Sequence, residues 1–137
     1  MSKNISKYDR VAGGFYGLAI GDALGATTEF MQPADIARSF PDGLKDIVGG
    51  GWLNLKAGKT TDDTAMALIV ADAVVGSYNA PNDKLNLGKF LQGCKNGFVA
   101  WYKGGPVDIG NQCRKVIGKF ARPIYGPKHD QHFSWFS

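Results

Sequence analysis

Glutamate is nearly absent from this chain: Glu29 stands alone, and the other eleven acids are aspartates. Glutamate is a strong helix former that ordinarily populates exposed helix faces. A single one just past a glycine-rich segment is therefore a candidate functional group, with compositional bias as the plain alternative. Cysteine is scarce as well. Cys94 and Cys113 show no paired spacing and fall on helix-like segments, which argues for reduced core thiols and against a disulfide or zinc site. No apolar run reaches the roughly 18 residues of a membrane span, and the N-terminal residues 1–7 lack the apolar core of a signal peptide. We expect a cytoplasmic protein with no membrane contact.

Several enzyme signatures are also missing. There is no phosphate loop, no Ser/His/Asp nucleophile set, no internal repeat and no sustained strand-like alternation, which leaves an all-α fold. At 137 residues the chain has the size of one domain, and 44% hydrophobic with 20% charged residues is an ordinary globular composition. The formal charge of +4 is mostly local, since residues 109–137 carry five Lys or Arg against a single acid, Asp130.

Glycine, by contrast, is abundant at 19 residues, twice its usual share. Residues 9–25 read as a helix with Asp9 near its cap and Gly25 at its end. Gly13, Gly17, Gly21 and Gly25 then fall in one smooth strip, because a four-residue step drifts only about 40° around a helix. Close helix packing is the expected use of that strip, and ligand access is the other. Asp22 lies in the last turn, where an acid opposes the helix dipole, so it is read either as a polar group near a site or as a solvent-exposed one.

Residues 33–40 read as a short helix with proline at an early position, ended by Pro41-Asp42-Gly43. The glycines at 49–51 and 58 mark a long flexible loop, either a substrate loop or a connector. A helix from 64 to 76 carries one charge, Asp72, and should be buried on nearly every side. After a break at 77–83, Leu87, Phe90, Leu91, Cys94, Phe98 and Trp101 repeat at three- and four-residue spacing, which predicts an amphipathic helix with core aromatics. Asp108 then reads as the N-cap of a helix presenting Ile109, Cys113, Val116, Ile117 and Phe120 on one face. His129 and His132 have the spacing of one helical turn, though tail histidines rarely ligate metal.

The chemistry concentrates in Thr60-Thr61-Asp62-Asp63-Thr64, at the mouth of the apolar helix. One reading is a threonine N-cap with two first-turn acids favoured by the dipole. The other is a metal site, because two adjacent interior carboxylates repel and a hard cation with oxygen ligands relieves that repulsion.

With these residues in view, the chain resembles the ADP-ribosylglycohydrolase family. Three segments carry the likeness in the family's order: Gly17-Leu18-Ala19-Ile20-Gly21-Asp22-Ala23-Leu24-Gly25 with Glu29-Phe30; Thr60-Thr61-Asp62-Asp63-Thr64 with Met66; and Pro106-Val107-Asp108-Ile109-Gly110. The resemblance implies an orthogonal helical bundle around Mg²⁺ or Mn²⁺, and hydrolysis of the bond between ADP-ribose and a modified side chain or small molecule. It also implies metal ligation by Thr61, Asp62, Asp63 and Glu29, catalytic carboxylates at Glu29, Asp62 and Asp108, and substrate contacts from Asp22, Asp108 and Gly110. In the family a later Asp-x-Asp motif supplies the other half of the metal cage, and no Asp-x-Asp occurs in this sequence. The expectation is a truncated, N-terminal-half relative with a half site for Mg²⁺ or Mn²⁺. Its helical domain would cover 1–120, and a divergent basic and aromatic tail 121–137.

Two function classes follow. One is a hydrolase acting on an ADP-ribosylated substrate, its site completed by a second copy of the chain, by a partner, or reduced to one metal. The other is a non-catalytic binding or inhibitor protein, for example a phage-encoded one that blocks a host defence complex. Its partner surface would be Arg114, Lys115, Lys119 and Arg122. Nucleic acid is the less favoured ligand for those cations, since a solvated helix face explains them.

Overall fold

A computed structural model describes residues 4–79 and 84–122. Among them the chain is helical, as expected: α1 (Lys7–Gly25), α2 (Pro33–Ser39), α3 (Asp62–Ser77), α4 (Leu87–Lys103) and α5 (Asn111–Ala121). A two-residue antiparallel ladder, β1 (Tyr78–Asn79) with β2 (Lys84–Leu85), joins α3 to α4 in the register Tyr78↔Leu85 and Asn79↔Lys84. Among the described residues no helix is long and apolar enough to cross a membrane. Most of the expected tail, from residue 123 on, lies outside the described residues, as do His129 and His132.

Local chemistry sets the helix ends. α1 starts two residues earlier than its periodicity suggested, because Ser6 and Asp9 form a capping box: Ser6 Oγ accepts from the Asp9 N–H at 3.0 Å, and Asp9 Oδ2 accepts from the Ser6 N–H at 3.3 Å. α4 starts where the Asn86 side chain accepts from the Lys89 N–H at 2.9 Å. α3 packs most extensively on α4, α4 on α5, and α1 on the first part of α3. The buried residues Ala23, Ala26, Thr27, Thr64, Ala73, Ser77, Ile109 and Ile117 trace this core.

Four expectations are corrected here. The glycine strip of α1 is not a packing seam among the described residues: a Cβ at Gly13, Gly17, Gly21 or Gly25 would meet nothing within 4 Å. Close approach occurs instead at Gly97, where a Cβ would collide with Ile69 of α3. α3 is apolar but not buried all round, with Leu68 and Val75 exposed, since α4 covers only one side of it. In α4, Phe98 and Trp101 are half-buried while Leu87 and Leu91 are exposed. Asp108 is not the cap of α5; Gly110 holds that position, and Asp108 faces other charges.

The loop before α3 is also tighter than its glycines suggested. Gly50 and Leu55 exchange backbone hydrogen bonds of 2.7 and 2.9 Å, and Thr27 Oγ1 donates to the Gly49 carbonyl at 3.0 Å. Gly51 sits at φ +67 against the Ala26 carbonyl, with no room for a Cβ. Gly51→Ala therefore combines a left-handed strain with a backbone clash, and should cost about 2 kcal/mol in chemical denaturation. An unchanged midpoint would show that the loop yields freely.

Candidate active site

The last turn of α1 places Asp22 against the N-terminus of α3. Its carboxylate accepts the Thr61 N–H at 2.9 Å, the Thr61 hydroxyl at 2.7 Å, the Thr64 N–H at 3.1 Å and the Thr64 hydroxyl. Burial alone would raise its pKa, but these bonds from Thr64 and Thr61 outweigh it and hold the carboxyl below its ordinary value. Thr61 is the N-cap residue of α3 by position, yet its side chain caps nothing. The expected self-capping threonine is corrected: an aspartate 39 residues away in sequence performs the capping.

Asp62 and Asp63 occupy the first turn of α3. Asp62 Oδ2 accepts from the Gly110 N–H at 3.0 Å, which ties α3 to the segment preceding α5. The buried Ile109 anchors that segment and leaves the half-buried Asp108 beside the charges of Asp62 and Glu29. Desolvation, then those two carboxylates, push the Asp108 pKa up against the opposing influence of the Ile109 N–H and Arg114. The Asp63 pKa is also raised, by desolvation and then by Asp62, Asp22 and Asp108. Glu29 accepts from the Trp52 indole N–H at 3.1 Å, and Trp52 in turn meets Phe30 edge-on, with ring centroids 5.5 Å apart.

A cleft of about 440 Å³ is lined by Gly17, Gly21, Asp22, Glu29, Thr61, Asp62 and Asp63, among others. The side-chain-free face of α1 forms one wall, which gives the glycine strip its use. Asp108 does not line this cleft, although its charge couples to Asp62 and Glu29. Gly110 touches the cluster through its N–H. The four cations Arg114, Lys115, Lys119 and Arg122 are exposed on and just after α5, and the Arg114 charge lowers the pKa of Asp108 against its acidic neighbours.

The oxygen-only donor chemistry suits a hard divalent cation. Among the described residues no group of three or more His, Cys, Asp or Glu side chains is placed to hold one ion. The mutual repulsion has a measurable consequence in chelator-treated protein. Asp63→Asn should raise stability at neutral pH by a few tenths of a kcal/mol, since Asp63 is exposed and water screens much of the repulsion. A lower melting temperature would refute the repulsion.

Comparison with known proteins bears on this arrangement. The sequence model of the ADP-ribosylglycohydrolase family matches residues 3–135. The chain belongs to the ADP-ribosylglycohydrolase family. It is 44% identical over 115 residues to ADP-ribosyl-[dinitrogen reductase] glycohydrolase of Rhodospirillum rubrum, an alignment covering 84% of this chain and 36% of that protein. It is 41% identical over 126 residues to ADP-ribosylarginine hydrolase Tri1 of Pseudomonas putida, covering 86% and 30%. The Tri1 of Serratia proteamaculans is 34% identical over 121 residues, covering 83% and 29%. The chain thus spans about a third of the length of these relatives, less than the half expected from its motifs. In this glycohydrolase-family chain the three motif segments meet at one cleft and its rim. Sequence reading gave no individual role to Trp52 or Thr64, although Trp52 ends the Gly49-Gly50-Gly51 run and Thr64 closes the Thr-Asp-Asp-Thr string.

Proposed function

We propose that this chain binds the ADP-ribosyl group of a modified protein at the cleft between α1 and the start of α3, and hydrolyses the bond that attaches it. The supporting observation is convergence: carboxylates from three distant segments, Asp22 with Glu29, Asp62 with Asp63, and Asp108, gather around that cleft and its rim. A modified protein side chain is the substrate class favoured by the relatives named for ADP-ribosylated dinitrogen reductase and ADP-ribosylarginine.

Thr61, Asp62, Asp63 and Glu29 would hold Mg²⁺ or Mn²⁺, with further oxygen ligands from outside the described residues. The ion would orient ribose hydroxyls and water and offset the crowded negative charge. The protein's own contribution is positional and acid–base. Asp62 is fixed by the Gly110 N–H, and Glu29 by the Trp52 indole. Asp108, its pKa raised by desolvation and by the charges of Asp62 and Glu29, is suited to accept a proton. Water oxygen bonds to the anomeric carbon as the bond to the side chain breaks through an oxocarbenium-like state. Asp108 takes the water proton and returns one to the departing side-chain atom, so that free ADP-ribose and the unmodified side chain leave.

The test is release of ADP-ribose from an ADP-ribosylarginine peptide in Mn²⁺ or Mg²⁺, followed chromatographically over a range of protein concentrations. Turnover that depends on the metal supports the reading, and steeper than linear dependence on protein concentration would show that a second copy completes the site. No release with either metal at any concentration overturns it.

A further inference from the structure

The sequence marked Asp22 as a substrate contact, but its hydrogen bonds leave it no capacity for that role. A carboxylate offers about four lone-pair sites. Asp22 already receives four donors: the N–H and hydroxyl of Thr61, and the N–H and hydroxyl of Thr64. A ribose hydroxyl could bind there only by displacing one of them.

The consequence falls on Thr61. An N-cap threonine ordinarily turns its oxygen back to accept the N–H of the third helical residue, which in α3 is Thr64. Asp22 takes that N–H instead, at 3.1 Å. A threonine hydroxyl also has one hydrogen and two lone pairs, and in Thr61 the hydrogen is committed to Asp22 Oδ1 at 2.7 Å. Thr61 Oγ1 is thereby relieved of its usual acceptor duty and has its only proton engaged by Asp22. What it has left is two lone pairs, the form in which a hydroxyl ligates a hard cation.

We propose that Asp22 is a positioning residue that fixes the Thr61 hydroxyl as a donor, so that Thr61 Oγ1 presents only lone pairs to a cation held with Asp62 and Asp63. The proposal rests on the metal reading above, and it assigns Asp22 no direct contact with metal or substrate. Thr64 serves as the internal control. Its hydroxyl bonds Asp22 Oδ2, so its removal weakens the same junction while leaving the Thr61 hydroxyl bond to Oδ1 in place.

The experiment compares the wild type with Asp22→Asn, Thr61→Val, Thr64→Val and the Asp22→Asn/Thr61→Val double variant. Mn²⁺ binding is read by electron paramagnetic resonance, and the Thr61 hydroxyl proton by NMR of the metal-free protein. Asp22→Asn and Thr61→Val should each weaken Mn²⁺ binding about tenfold or more, the usual loss when the group orienting a ligand is removed. The double variant should be no weaker than Thr61→Val alone, because without the hydroxyl Asp22 has nothing to orient. Thr64→Val should lower the melting temperature yet keep Mn²⁺ affinity within about threefold. A slowly exchanging Thr61 hydroxyl proton should appear in the wild type and Thr64→Val and vanish in Asp22→Asn.

A merely structural role predicts something else: affinity losses that track the stability losses of Asp22→Asn and Thr64→Val alike, and additive effects in the double variant. Either result overturns the proposal, as does a wild type without the protected hydroxyl. A wild type that shows the proton but binds no Mn²⁺ overturns the metal reading itself and supports the orientation of Thr61. The two failures are thus distinguishable.

Discussion

Asp62→Ala should lower ADP-ribose release by at least about 100-fold, the scale of loss when a preorganised charged group is removed from a reacting centre. Two effects combine. The variant removes a carboxylate that enters the electrostatic environment of both Asp63 and Asp108. It also frees the Gly110 N–H, whose bond to the Asp62 side chain joins α3 to the segment that carries Asp108. Asp62→Asn separates these effects, since its amide oxygen can still accept from Gly110 while the charge is gone. If the charge matters most, both variants fall together. If the tether matters most, Asp62→Asn keeps most of the rate. Activity of Asp62→Ala within twofold of the wild type would remove Asp62 from the reaction altogether. The comparison is cleanest as kcat/KM on one peptide substrate, because that ratio reports transition-state stabilisation directly.

The all-α class and most helix extents were legible in the sequence, because periodicity and caps are local. Asn86 caps α4 through a residue three positions away, and the Ser6–Asp9 box closes over the same distance. The candidate site was legible through its motif segments, which named Glu29, Thr61, Asp62, Asp63 and Asp108 before any geometry. The partnerships between them were not. Asp22 meets Thr61 across 39 residues, Asp62 meets Gly110 across 48, and Trp52 meets Glu29 across 23. No propensity encodes such separations. A helix-terminal acid such as Asp22 looks unfavourable in isolation and becomes favourable only when the N-terminus of another helix receives it. The α1 glycines misled for a related reason. Their spacing shows that one face is smooth but cannot say whether a helix or a cleft adjoins it. The uniform apolarity of α3 likewise reports a capacity for burial and not which faces are covered.

Asp22→Ala should destabilise the fold by about 3 kcal/mol. Hydrogen bonds to a charged acceptor contribute roughly 1.5–3 kcal/mol each and are not additive when shared. The buried Thr64 would also lose the partner of its hydroxyl. A fall in melting temperature on the order of 10 °C follows for a domain of this size. The pH dependence identifies the source. The Asp22 pKa is lowered in the fold, so its stabilisation is fully present above the ordinary value of 3.8 and is lost as pH falls through the lowered value. Asp63 and Asp108 have the opposite sign. Their pKa values are raised by desolvation and then by neighbouring carboxylates, so protonation favours the folded state, and both penalties are relieved as pH falls through the raised values towards 3.8. Metal-free wild type should therefore be most stable in mild acid, between the raised values of the Asp63–Asp108 pair and the lowered value of Asp22. Thermal melts in chelator from neutral pH downward should show this maximum, with Asp22→Ala losing much of the fall on its acid side and Asp63→Asn flattening the rise on its neutral side. A wild type whose stability declines steadily from neutral pH would contradict the raised pKa values of Asp63 and Asp108. An Asp22→Ala variant with the same acid limb as the wild type would show that Asp22 does not hold α1 to α3.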